Sequence, residues 1–119
     1  MTKEEIAAAF SIGEFEKTDN FIADDAIWEV VEENKFIGKK EIMENCNQVA
    51  AYFKSVTTNF KIVNVIKQDN RVVVNGTAEF SRNGKIVSFV SACDLYEFDQ
   101  DDKIQKITSY CIKKTYNKH

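Results

Sequence analysis

Asp94 is the residue of this chain with the clearest chemical promise. It lies in KIVSFVSACDLYEF (85–98), whose alternation reads as a strand with side chains pointing to opposite faces in turn. One face then carries Ser88, Val90, Ala92, Asp94, Tyr96 and Phe98. A carboxylate in an otherwise apolar row invites two readings. It can exchange a hydrogen bond with a ligand, as a neutral acid or an anion. It can equally be a structural group satisfied by a neighbouring Tyr or backbone N–H. No Lys or Arg shares the face, so desolvation is expected to raise its pKa. A second inward polar group within reach would favour catalysis over binding. Ser88, Ser109 and Glu29 are the candidates, in declining order.

Other familiar chemistries find little support. The single histidine is His119, the last residue, which argues against histidine triads and histidine-rich metal sites. Cys46, Cys93 and Cys111 are an odd number at distant positions, unlike a disulfide framework or closely spaced zinc ligands. They read as reduced, buried thiols in a cytoplasmic protein. Asp24 and Asp25 read as a cap and turn between helix and strand. Asp99, Asp101 and Asp102 lack the spacing, central glycine and terminal glutamate of a calcium loop. No metal and no cofactor is expected.

The elements that must position Asp94 are legible from periodicity. Thr2 and Glu5 have capping-box spacing. They open a helix with Ile6, Ala9, Phe10 and Gly13 on one side, ended by Gly13. A second short helix is expected over 14–22, and AIWEVV (26–31) reads as a strand. A third helix starts at Gly38 and carries the stripe Ile42, Cys46, Val49, Ala50 and Phe53. Four strands follow, over 60–67, 71–81, 85–98 and 102–112, with Asn83-Gly84 as a hairpin turn. Ile104 and Ile107 differ in parity, which predicts a bulge near the start of the last strand. Helices followed by an antiparallel meander give an α+β fold with helices on one sheet face. In the strand 71–81, Val72, Val74, Gly76, Ala78 and Phe80 share the inner face. The small Gly76 and Ala78 leave room for a cavity or for a close helix.

At 119 residues, 44% hydrophobic and 29% charged, the chain reads as one domain with a real core. A net charge of −3 gives no field that favours nucleic acid or anionic membranes. No apolar run is long enough to span a bilayer, and no signal-peptide pattern is expected at the N-terminus. Lys113, Lys114 and Lys118 read as a flexible, solubilising tail.

FIADDAIWE (21–29), GKKEI (38–42) and DLYEFDQDDKIQKITSY (94–110), in this order, resemble the nuclear transport factor 2-like superfamily and its SnoaL-like and ketosteroid-isomerase-like members. The resemblance spans essentially the whole chain, 1–119. It implies a cone: a curved antiparallel sheet wrapped around helices, with a pocket at its open end, and homodimers through the outer sheet face. Function does not follow, because this fold hosts isomerases, dehydratases, hydrolases, cyclases and binding domains. In ketosteroid isomerases the aspartate base would fall at Val30 and the oxyanion tyrosine at Ile6; only the second oxyanion group, at Asp94, is kept. Without the base that isomerase mechanism has no proton acceptor.

Two readings follow. In the first, the cone binds a small, mainly apolar or amphipathic molecule, with Asp94 as polar anchor. In the second, Asp94 is a general acid or base in an isomerase, dehydratase or hydrolase reaction. The ligand-facing set comprises Trp28, Val30, Phe53, Ala78 and Tyr96; Trp28 alternatively reads as a core tryptophan. The resemblance adds Ile107, Ser109 and Cys111 on the final strand. Tyr52 is placed equally well at the cavity or at the surface. On the outer face Phe89, Ser91, Cys93 and Leu95 are too apolar for free solvation, which fits a twofold dimer.

Overall fold

The computed structural model describes residues 1–116. Helix α1 (Lys3–Ser11) begins with the expected capping box: the Thr2 hydroxyl accepts from the Glu5 N–H and the Glu5 carboxylate from the Thr2 N–H. It ends in a Schellman motif. The Glu14 N–H reaches the Ala9 carbonyl and the Gly13 N–H reaches the Phe10 carbonyl. Gly13 sits at φ +83°, a left-handed conformation that glycine adopts without strain. Ile6, Ala7, Ala9 and Phe10 are buried.

Six strands form one mixed sheet: β1 (Ile22–Val30), β2 (Asn34–Ile37), β3 (Thr57–Gln68), β4 (Arg71–Arg82), β5 (Lys85–Phe98) and β6 (Ile104–Thr115). Their order is β2-β1-β6-β5-β4-β3. Helix α2 (Lys39–Ser55) lies between β2 and β3 in the chain and buries Ile42 and Cys46. The core joins Ile6 and Phe10 of α1 to Ile42 and Cys46 of α2 and to Val72, Tyr96, Ile104 and Ile107 of the sheet. The inner-face parity of β4 holds: Val72, Val74, Ala78 and Phe80 are all buried. A one-residue slip would bury Glu79 in place of Phe80, and the burial energy of the apolar row excludes it.

Bulges give the sheet its curvature, because each extra residue bends and twists its strand. Val63 is extra on β3, opposite the gap between Gly76 and Asn75. Val87 is extra on β5, and Gln105 on β6. The last of these resolves the parity conflict between Ile104 and Ile107, both fully buried. At the β4–β5 turn Asn83 and Gly84 both have positive φ, the conformation of a tight type I′ hairpin.

The fold differs from the sequence reading at several points. The sheet is not wholly antiparallel, because β1 pairs with β6 in parallel. The stretch 14–22 forms two single 3₁₀ turns, Phe15–Lys17 and Asp19–Phe21, instead of a helix. Its buried Thr18 hydroxyl donates to the Phe15 carbonyl, a local bond that competes with helix propagation. Asp24 and Asp25 lie within β1, exposed, where the β1–β6 register shifts. There the Asp25 carboxylate accepts from the Gln105 amide at 3.2 Å. Lys113 and Lys114 are strand residues opposite Val90 and Phe89, not a flexible tail. Lys118 and His119 lie outside the described residues. Cys46 is buried as expected, whereas Cys93 and Cys111 are exposed.

Candidate functional site

The end of α1, one side of α2 and the inner faces of five strands line an open cavity of about 280 Å³. The last turn of α1 and the residues after it supply Phe10, Ser11, Gly13 and Phe15; α2 supplies Asn45, Val49 and Phe53. From the sheet come Trp28 and Val30, Gly76 and Ala78, and Asp94 with Ser109 and Cys111. Asp94 is the sole carboxylate lining the cavity among the described residues.

Two glycines shape the walls. At Gly13 an added Cβ would stand 2.6 Å from the Phe53 ring, so the bare backbone lets that ring lie against the end of α1. At Gly76 an added Cβ would run into the Lys61 carbonyl oxygen. The bulge at Val63 presses the β3 backbone onto β4 there. The room left by Gly76 is therefore taken partly by a neighbouring strand and partly by the cavity.

Around Asp94 lies a hydrogen-bonded set that crosses the sheet. The Ser11 hydroxyl donates to Asp94 Oδ2 at 2.8 Å and lies 2.6 Å from the Tyr96 hydroxyl. On the other side, Ser109 faces Asp94 directly in the β5–β6 register. The Trp28 Nε1–H donates to the Ser109 hydroxyl at 3.0 Å. Burial pushes the Asp94 carboxyl above its ordinary pKa, and hydrogen bonds from the Ser109 and Ser11 hydroxyls pull it part of the way back. Burial, reinforced by the nearby Asp94, raises Tyr96 well above the usual phenol range. Partial desolvation at the cavity wall, again with Asp94 nearby, pushes the Cys111 thiol up to about 11. At neutral pH both groups are protonated, so Asp94 is the ionisable group that responds.

Of the residues read from the sequence, Trp28, Val30, Phe53, Ala78, Asp94, Ser109 and Cys111 share this cavity. Tyr96 and Ile107 do not line it. Both are fully buried one layer deeper, and Tyr96 reaches the site only through Ser11. Among the candidate partners of Asp94, Ser109 is adjacent. Ser88 is buried on the same face, its hydroxyl without a partner among the described residues. Glu29 alternates with Trp28 and Val30 along β1, pairing with Lys35, and so falls on the other face. Tyr52 is partly exposed and packs edge-on against Phe80 at 5.6 Å. Ser11 escaped the sequence reading. Its signal was the four-residue step from the buried Ala7, which puts it on the helix's inner side.

A bulged, curved sheet closing over two helices and an apolar cavity defines the nuclear transport factor 2-like class. Residues 4–107 match the SnoaL-like domain family, and the chain belongs to it. An NTF2-like protein of unknown function from Cytophaga hutchinsonii ATCC 33406 is 33% identical, with a TM-score of 0.81; the match covers 91% of this chain and 94% of that one. An LEH-like epoxide hydrolase from M. tuberculosis is 20% identical, with a TM-score of 0.67 over 93% of this chain and 84% of its own. A protein from Shewanella denitrificans OS-217, described provisionally as a SnoaL-like polyketide cyclase, is 14% identical, with a TM-score of 0.71 over 92% and 90%. These two similarities speak for the fold alone. No curated protein matches the sequence. Among the described residues no helix is long and apolar enough to cross a membrane. Nor do three His, Cys, Asp or Glu side chains among them gather as a metal-binding set.

Proposed function

We propose that this SnoaL-like domain binds a small, mainly apolar molecule in its cavity, with Asp94 as the polar anchor. One observation carries the reading: a single carboxylate, held by the Ser11 hydroxyl, lines a cavity otherwise walled largely by aromatic and aliphatic side chains. Sites of this composition bind by apolar burial and orient by few polar groups. The domain acts in the cytoplasm as a homodimer joined through the outer sheet face, and it requires no cofactor. The test is native mass spectrometry of freshly purified protein. A bound mass, or a small apolar molecule taken up on addition, should disappear in Ala92→Phe, which fills the cavity beside Asp94. Retention of the mass by that variant overturns the reading.

A second reading, acid–base catalysis by Asp94, is favoured by its raised pKa beside open cavity space. Steroid isomerisation is not its form. Ile6 is buried in the core and Val30 is an apolar wall residue, so neither supplies the tyrosine or the base. Double-bond migration in a model ketosteroid is expected to stay at the buffer rate. Turnover that Asp94→Asn abolishes would show that Asp94 itself serves as the base.

A further inference from the structure

The hydrogens around Asp94 can be traced from groups whose direction is fixed. The Trp28 Nε1–H only donates, so the Ser109 hydroxyl accepts from it and stands across the strand pair from Asp94. The Tyr96 hydroxyl is fully buried, and Ser11 is its one side-chain partner among the described residues. Tyr96 therefore donates to Ser11, and Ser11 donates to Asp94. The reverse order would leave the Tyr96 hydrogen buried without an acceptor, which is unfavourable. The Tyr96–Ser11 relay thus ends on Asp94 and presents it as an acceptor. An ionised carboxylate has about four lone-pair sites, of which the Ser11 hydroxyl takes one and the cavity side keeps the others open. What meets the ionised Asp94 there must be a donor.

We propose that this donor is a protonated nitrogen, so that the molecule bound is an amphipathic amine with a flat apolar body. The proposal rests on the binding reading above and specifies its ligand. Charge balance selects the amine over an alcohol. The ion pairs of the described residues, Lys3–Asp102, Lys17–Glu14, Lys39–Asp19 and Arg71–Glu97, leave Asp94 out. Lys61, the lone basic residue lining the cavity among the described residues, belongs to the exposed part of β3. A buried carboxylate without a cation is unfavourable, and a ligand cation relieves it. The walls suit the same charge. Phe10 packs edge-on against Phe15 at 5.0 Å and against Trp28 at 5.1 Å, and all three line the cavity. Aromatic walls of this kind attract an ammonium group that settles over a ring face. A ligand carboxylate would meet repulsion from Asp94, and Lys61, the one basic lining residue among the described residues, is solvent-exposed.

Protonation gives the proposal a second signature. Asp94 holds its proton above the ordinary carboxylate range, and the amine pairs with the ionised form. Amine affinity therefore rises with pH through the Asp94 titration and then levels. The other titratable groups facing Asp94 are Tyr96 and Cys111, with Cys46 behind Tyr96. All three are raised and stay neutral through this range.

The test is calorimetric titration with three probes of one shape: naphthylethylamine, naphthylethanol and naphthylacetate. At neutral pH the amine should bind about tenfold tighter than the alcohol, the increment of a charge-assisted over a neutral hydrogen bond. Naphthylacetate should bind weakest. The amine's advantage should vanish in Asp94→Asn, and tight binding should vanish in Ala92→Phe, which separates the cavity from the acidic surface. An alcohol that binds as well as the amine overturns the amine while leaving the binding reading intact. So does an amine advantage that survives Asp94→Asn. Failure of all three probes to bind overturns both. Should Asp94→Asn not fold, the comparison of amine and alcohol on the parent, and its pH dependence, still decides.

Discussion

A single aspartate raises the question of why an inner strand face tolerates an acid, and Ser11 and Ser109 supply the answer. Ser11 gives Asp94 a donor in place of water, Ser109 stands opposite it on β6, and Tyr96 and Trp28 bond these two hydroxyls from behind. The pH dependence of stability follows from the raised pKa. Between the unfolded and folded pKa values the folded state binds the proton more tightly, so stability falls as pH rises through that window. Urea midpoints should therefore decline for the parent as pH rises through that window and stay flatter for Asp94→Asn, which should match or exceed the parent at neutral pH. A variant that loses more than about 2 kcal/mol at neutral pH would identify Asp94 as an ionised structural partner. Ser11→Ala strands the buried Tyr96 hydroxyl and should cost about 1–3 kcal/mol. Adding Tyr96→Phe removes the stranded group, so the double variant should be little worse than Ser11→Ala alone; a full second loss would sink the relay. Asp94 was legible because strand parity is local. Its partner Ser11 was not, because the contact joins a helix end to a strand 83 residues away.

Among the elements, those with a strong local rhythm were readable: the capping box, the stripe of α2, the alternation of β4 and β5, and the Asn83-Gly84 turn. Misread segments were short or depended on distant partners. Strand β2 has four residues with little alternation to announce it; Phe36 earns its place by packing on Trp28 at 5.5 Å. The parallel β1–β6 pair joins nearly opposite ends of the chain, and no local pattern encodes it. The bulge at Val63 makes a sharp prediction. Gly76→Ala places a methyl against the Lys61 carbonyl, so β3 must shift. Such overpacking is expected to cost about 1–3 kcal/mol, measured by denaturant unfolding. A neutral Gly76→Ala would mean that the two strands do not approach so closely.

For the molecule as a whole, the outer sheet face holds the proposed assembly. Phe89 and Leu95 of β5 are half-buried, and Ser91 and Cys93 are exposed. Beside them on β6 stand Tyr110 and Ile112, 53% and 77% exposed. The sequence drew attention to β5, and the larger apolar exposure lies on its neighbour, since side-by-side registry is a property of the sheet. Patches of this kind commonly mark interfaces. Light scattering at micromolar concentration should give twice the sequence mass for the parent and a shift toward monomer for Ile112→Lys. A parent at 13.7 kDa would refute the dimer.

The hydrogen bond from Trp28 to Ser109 has one more consequence. Trp28 is the chain's single tryptophan, and it touches the cavity on one side and the Asp94 relay on the other. Its indole emission is thus an intrinsic optical gauge of the site. Filling the cavity changes the polarity around the ring, and ionising Asp94 changes the field along the Nε1–H bond. Any candidate ligand can be followed by this one fluorophore, without a label and in the unaltered chain.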